Sequence, residues 1–209
     1  MKLINPFLCC CGCECFFMLF LASGLYRIRV GDILVVTGFH NKAPQFRFIR
    51  RDNVVLSIDL DKTNEDDLFK AVNNAKLTLD SSHLMLIDFT SYADISTIPG
   101  HYVVYWEVKN KNEDKKSKKH IELKEETFSE CCLLMEDSLD SVYKICRFKE
   151  ESVGPLEIKV VRQGTFDSLM DYFISQGASI GQYKTPRCIK SGKALEVLEE
   201  NVVATFFST

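Results

Sequence analysis

The sequence predicts an α+β domain built on a split βαβ, or ferredoxin-like, order. Three observations predict it. Short β-branched segments carry apolar residues at period two, and two longer segments switch to a period near 3.6. From Asn53 to Arg162 these segments follow one another as strand, helix, strand, strand, helix, strand. A chain of 209 residues with 46% hydrophobic and 26% charged residues can bury one good core, with room for an extra subdomain. The net charge of -3 argues against a polyanion-binding protein.

Taken in order, Asp32 to Gly38 and Gln45 to Arg50 read as strands separated by the turn Asn41-Lys42-Ala43-Pro44, with Phe46 and Phe48 at period two. Asn53 to Asp59 is a third strand. Asn64 caps a helix through about Leu79, whose apolar face is Leu68, Ala71, Val72, Ala75 and Leu79. Strands follow at Leu84 to Tyr92 and His101 to Lys109, joined by a turn containing Pro99-Gly100. Asn110 to Lys124 reads as a solvated loop, because Lys115, Lys116, Lys118 and Lys119 sit among Glu113, Asp114, Glu122, Glu125 and Glu126. Thr127 to Arg147 predicts one long helix facing inward through Phe128, Cys131, Met135, Leu139, Val142, Tyr143 and Cys146. Leu156 to Arg162 is the next strand and Thr165 to Gln176 the next helix, with Thr165 as N-cap and Gly177 just past the end. A short helix over Lys193 to Glu200 closes the pattern.

Residues 1–24 stand apart as a Cys-rich apolar leader, expected to lie outside the fold. The run Phe16 to Ala22 has the length of a signal-peptide core and is too short to span a bilayer comfortably. Ala22-Ser23-Gly24 resembles a cleavage site, and the consecutive cysteines suit palmitoylation. Of the nine cysteines, Cys131, Cys132, Cys146 and Cys188 lie outside the leader and show no CxxC pair and no ligand-like histidine spacing. The first three fall in a helical pattern, where free cysteine behaves as a small buried hydrophobe. A reducing, cytoplasmic compartment fits them better than secretion.

Three positions could carry chemistry. Asp32 follows Gly31 at the entrance to Ile33-Leu34-Val35-Val36, where a carboxylate can accept hydrogen bonds from both vicinal hydroxyls of a ribose; Gly-Asp is equally an ordinary turn. Lys62, in Asp59-Leu60-Asp61-Lys62-Thr63, would by itself be a surface ion pair with Asp59 or Asp61. Lys184 lies in Gly181-Gln182-Tyr183-Lys184-Thr185-Pro186-Arg187, where Pro186 pushes Thr185 into an extended conformation. On spacing alone it is an exposed loop lysine, although an extended loop can carry an ammonium across a cleft. His101 has no Ser or Cys partner marking a triad. His40, His83 and His120 read as turn or surface residues, and Tyr102, Tyr105 and Trp106 as core. There is no GxGxxG or Walker loop.

Several long segments resemble the C-terminal part of the plant auxin-responsive acyl-acid amido synthetases, the Gretchen Hagen family. They are Val36 to Phe46 (VTGFHNKAPQF), Val54 to Thr63 (VVLSIDLDKT), Ser91-Tyr92-Ala93-Asp94 with Ile98 to Tyr102, Gly154 to Ile158, Gly164 to Asp167, and Gln182 to Cys188. Leu25 to Asp32 joins them, so the resemblance runs over about residues 25 to 208. It implies the small C-terminal lid domain of an adenylate-forming, luciferase-like enzyme, with residues 25–50 as the end of the large-domain nucleotide motif and hinge region and 51–209 as the lid.

The activity implied is an ATP-dependent acid-amino acid ligase: ATP with Mg2+ converts an acid hormone to an acyl-adenylate, which the amine of an amino acid then attacks. Indole-3-acetic acid is the acid the wording most resembles; alternatives are a jasmonate-amido synthetase fragment or a non-enzymatic ferredoxin-like interaction module. By the same resemblance Asp32 holds ribose, Arg29 belongs to the same nucleotide motif, Lys62 faces phosphate near the hinge, and Lys184 stabilises the adenylation transition state. Ile28 departs from the pattern, since relatives often carry an aromatic residue there. The family's Ser/Thr/Gly-rich phosphate loop, its Tyr-Ser-Ser-Glu type segment and its acid pocket belong to a large N-terminal domain with no counterpart in this sequence. The chain alone is therefore expected to be an inactive fragment, with a leader foreign to the family. Neither nucleic acid nor stable membrane association is expected.

Overall fold

Two units divide the chain at Asn53/Val54. The computed structural model describes residues 14–19, 28–41, 43–51, 54–111, 123–190 and 192–208. In the first unit β1 (Glu14–Leu19), β2 (Ile28–His40) and β3 (Ala43–Arg51) form an antiparallel sheet in that order. β2 and β3 are the two expected strands, each longer than its period-two core, and Asn41 opens their turn at φ 55°, a left-handed conformation that Asn tolerates. Glu14–Leu19 lies within the segment expected to stand outside the fold, yet it pairs along β2. The aromatic residues Phe16 and Phe17 favour such a strand.

The second unit opens with a hairpin of β4 (Val54–Ile58) and β5 (Asp61–Asn64), turned by Asp59 at φ 53°. α1 (Glu65–Ser81) starts where expected: the Asn64 side chain accepts a hydrogen bond from the Asp67 amide at 2.9 Å. Its five predicted apolar residues are all buried. β6 (Leu84–Asp94) and β7 (His101–Asn110) follow as an antiparallel pair. The loop expected over 110–124 lies mostly outside the described residues.

The long helix expected over 127–147 is two helices, α2 (Glu125–Ser138) and α3 (Ser141–Phe148). Leu139 is extended and the Asp140 carboxylate caps α3 by accepting from the Tyr143 amide at 2.9 Å, which restarts the helix on a new axis. The break leaves Val142 exposed, while Phe128, Cys131, Met135, Leu139, Tyr143 and Cys146 are buried as expected.

β8 (Glu157–Val161), α4 (Thr165–Ser175), α5 (Gly192–Glu199) and β9 (Val202–Phe207) complete the unit. Gly164, at φ 86°, takes the N-cap of α4 in place of Thr165, whose hydroxyl donates to the Arg162 carbonyl at 2.6 Å. The helix end is capped instead by Glu107 of β7, which accepts from the amides of Gly164 at 2.8 Å and Phe166 at 3.0 Å.

The α+β class and the helix-on-sheet layering are as expected. The sheet runs β6-β7-β8-β9, with β7 and β8 parallel and the outer pairs antiparallel. Here the plan differs in detail from the split βαβ order: β4 pairs in its own hairpin, and β9, unassigned from sequence, takes the fourth place in the sheet. β7 is covered on both faces, which is why it reads as a continuous apolar run. Tyr102, Val104 and Trp106 join Phe128, Met135 and α1 in the larger core; Val103 and Tyr105 join Phe166, Leu169, Ala194 and Leu198 of α4 and α5 in the smaller. Cys131, Cys132 and Cys146 are free and fully buried, as small hydrophobes, and burial pushes the Cys131 thiol up to about 12.

Candidate functional site

The segment carrying Lys184 is a strap laid along the edge of β6. Two residues past α4, Gly177 at φ 99° lets the chain turn off the helix, and a single 3-10 turn over Ile180–Gln182 leads into the strap. The strap then bonds to β6 residue by residue. Ser91 donates its amide to the Arg187 carbonyl at 3.0 Å and accepts from the Ile189 amide at 2.8 Å, a short parallel bridge. The hydroxyls of Thr90 and Ser91 donate to the carbonyls of Pro186 at 2.6 Å and Arg187 at 2.5 Å.

Asp88 receives the strap's side chains: its Oδ2 accepts from the Thr185 hydroxyl at 2.6 Å and its Oδ1 from Arg187 Nη1 at 2.6 Å. The same guanidinium donates to the Phe89 carbonyl at 2.5 Å and lies 4.4 Å from the centroid of the Phe89 ring and 5.5 Å from that of Phe69 on α1. Such a planar cation, stacked and charge-paired at once, is well suited to fixing a loop. Lys184 itself is exposed and lines a shallow open cavity of about 320 Å³ with Phe173, Ser179, Gln182, Tyr183 and Pro186. A mobile cation on an immobilised backbone can meet developing negative charge without a large reorganisation.

Lys62 is exposed on β5 and forms no ion pair among the described residues, contrary to the pairing with Asp59 or Asp61. The reason is alternation along the strand: Asp61 and Thr63 face inward, and Lys62 outward. The buried Asp61 accepts from the Tyr102 hydroxyl, and burial, opposed by that bond, holds its carboxyl above the usual value of 3.8.

Arg29 and Asp32 both lie in β2 of the first unit; their side chains fall outside the described residues. Asp32 pairs with Arg51 of β3 and is inside a continuous strand rather than at the turn entering one. Opposite β1 the register is irregular: Phe16 pairs with Ile33 and Met18 with Arg29, so Gly31-Asp32 sits in a bulge. Bulges of this kind re-aim the chain and recur beside active sites.

Asp88 and Arg187 escaped the sequence reading as site residues. Arg187 and Thr185 were visible inside the GQYKTPR segment, but nothing local ties them to an aspartate almost a hundred positions earlier. His101 pairs with Glu157 at 2.9 Å rather than with a nucleophile. Among the described residues no cluster of carboxylate, His or Cys groups could hold a metal ion, and no helix is long and apolar enough to cross a membrane.

Comparison with known proteins adds to this geometry. The GH3 family C-terminal domain matches residues 66–193, and the GH3 family central domain matches residues 11–51. A 4-substituted benzoates-glutamate ligase of Arabidopsis thaliana is 73% identical over 186 residues, 89% of this chain and 32% of that protein. An indole-3-acetic acid-amido synthetase of the same organism is 59% identical over 188 residues, covering 89% and 30% respectively. Among solved structures, the GH3.15 acyl acid amido synthetase superposes with a TM-score of 0.82 at 49% identity, covering 98% of this chain and 37% of that one. A complex of that enzyme with 2,4-DB gives 0.79 at 50% identity, covering 98% of this chain and 35% of that one. The chain thus spans about a third of the length of the relatives it matches.

Proposed function

The chain belongs to the GH3 family, and from that footing we propose that it supplies the C-terminal part of an ATP-dependent acid-amino acid ligase. Family members are acid-amino acid ligases, amido synthetases. In the proposed reaction the acid's carboxylate oxygen attacks the α-phosphorus of ATP, the bond to pyrophosphate breaks, and an acyl-adenylate forms. The amino acid's amine then attacks the acyl carbon, AMP leaves, and the amine proton is lost to solvent or base.

Lys184 is the residue on which the reading turns. The observation that carries it is an exposed ammonium at the mouth of an open cavity, on a strap whose following residues are each bonded to β6. Negative charge grows on the phosphoryl oxygens as pyrophosphate departs, and an ammonium there stabilises it without covalent chemistry. Asp32 is assigned to the ribose hydroxyls and Arg29 to the same nucleotide, supported by the register break at Gly31-Asp32 on the side of β2 that faces β1. Lys62, solvent-facing on the first hairpin of its unit, is free to meet phosphate. Mg2+ would enter on the nucleotide's phosphates, the usual mode for this ion.

For the acid, an aryl carboxylate of the benzoate type is favoured by the 73% identity to the benzoates-glutamate ligase over the 59% to the indole-3-acetic acid enzyme. Indole-3-acetic acid is the second reading. The buried free thiols support a reducing cytoplasmic setting. The test is a chimera in which this chain's 186 matched residues replace their counterparts in the benzoates-glutamate ligase. Acid-dependent ATP–pyrophosphate exchange by the chimera, with none from this chain by itself, is expected with 4-substituted benzoates. A folded chimera without exchange on 4-substituted benzoates would overturn the proposal.

A further inference from the structure

We infer that Asp88 is a positioning residue for Lys184, holding the strap so that the ammonium has a fixed point of departure; the inference rests on the reading of Lys184 given above. The two oxygens of its carboxylate are used separately. Oδ2 takes the hydroxyl of Thr185, the residue next to Lys184, and Oδ1 takes the guanidinium of Arg187, three residues beyond it. Pro186, between them, has a restricted φ and offers its carbonyl to Thr90. On the other side of Lys184, the Tyr183 ring packs 6.2 Å from Phe173 of α4. Both neighbours of Lys184 are therefore anchored, one to β6 and one to α4, while the lysine side chain stays exposed.

The strand is shaped for this. Leu86 pairs with Val108 and Asp88 with Glu107, so β6 spends an extra residue at Ile87, immediately before Asp88. A bulge at that point shifts the phase of the strand and brings the carboxylate to the strap side. An ordinary surface ion pair needs no such arrangement. The Asp88 and Arg187 side chains are 24% and 20% exposed, and the guanidinium is also stacked on Phe89. Two geometric constraints, a bidentate carboxylate and a stacked cation, thus act on the segment that presents Lys184.

The experiment has two arms. In the full chain, Asp88→Asn is expected to speed hydrogen exchange across residues 183–189 by about tenfold or more while leaving α1 and β7 protected, the mark of local rather than global opening. In the chimera described above, the same substitution is expected to lower kcat of acid-dependent pyrophosphate exchange by about 10²-fold, the order expected for a misplacement of about 1 Å, with KM for the acid little changed. Combined with Lys184→Ala, it should slow the reaction no further than Lys184→Ala alone, since a residue acting through the lysine has nothing left to position.

A merely structural role would lower the active fraction of both backgrounds alike and so give additive losses, which would overturn the proposal. Full kcat in the Asp88→Asn chimera, with Lys184→Ala inactive, would overturn the positioning role and leave the role of Lys184 standing. Full activity in Lys184→Ala would instead overturn the reading on which this inference rests. Should Asp88→Asn fail to fold, Thr185→Val removes one of the two side-chain bonds and is expected to lower kcat in the same direction by a smaller factor; unchanged kcat there would refute the clamp.

Discussion

Glu107→Ala should destabilise the second unit by about 3 kcal/mol. Glu107 is 6% exposed and accepts two backbone hydrogen bonds, from Gly164 at 2.8 Å and Phe166 at 3.0 Å, at the start of α4. Hydrogen bonds to a charged group contribute about 1.5–3 kcal/mol each, and removing an N-cap side chain costs about 1–2 kcal/mol. Two bonds at the lower end of that range come to about 3 kcal/mol, and the carboxylate's attraction to the helix dipole lies within the same figure. At this chain length the thermal midpoint would fall by about 6–12 °C. Glu107→Gln keeps the shape and one acceptor, so it should lose roughly half as much. Urea denaturation followed by far-UV circular dichroism measures both, with an unchanged slope expected. A Glu107→Ala variant within about 0.5 kcal/mol of wild type would refute the capping argument, because nothing else in α4's first turn replaces the lost acceptors.

Three further outcomes are expected. Asp140→Ala should cost about 1 kcal/mol by removing the cap that restarts the helix at α3, read by the same denaturation; no change would mean that the break is set elsewhere. Site-resolved alkylation of the native chain at pH 8 should leave Cys131 unmodified, since a thiol held at about 12 is ionised to only about one part in 10⁴ and is buried; prompt labelling of Cys131 would contradict its packing. Burial raises the folded-state carboxyl of Asp61 above 3.8, so its stabilising share is present below that pH and is lost as pH rises through the folded value. The stability of wild type relative to Asp61→Asn should therefore decline from about pH 4 toward neutrality, and a difference independent of pH would contradict this.

What could be read from the sequence was local. Asn64 and the face Leu68, Ala71, Val72, Ala75 and Leu79 lie within one helix, where cap and period are properties of neighbouring residues. The burial of Cys131 and Cys146 followed from the same 3.6 period. What could not be read was pairing at a distance. Glu107 reads as a charge on a strand, and its role as a cap depends on α4 being brought back over β7. β4 and β9 exchange expected places because strand neighbours are decided by tertiary packing, to which period-two alternation is blind. Leu139-Asp140 continues the helical period through a residue that is also a good N-cap, and the cap prevailed. Lys184 was visible through its motif and the extended residue before Pro186. Asp88, which holds its neighbours, lies 97 residues before Thr185 and carries no local mark.

The most direct measurement is ATP–pyrophosphate exchange by the chimera with Lys184 intact, changed to Arg, and changed to Ala. If Lys184 meets the departing pyrophosphate, exchange should be lost by about 10²-fold or more in Lys184→Ala and partly retained in Lys184→Arg, which keeps the charge. Equal exchange in all three folded proteins would contradict the account.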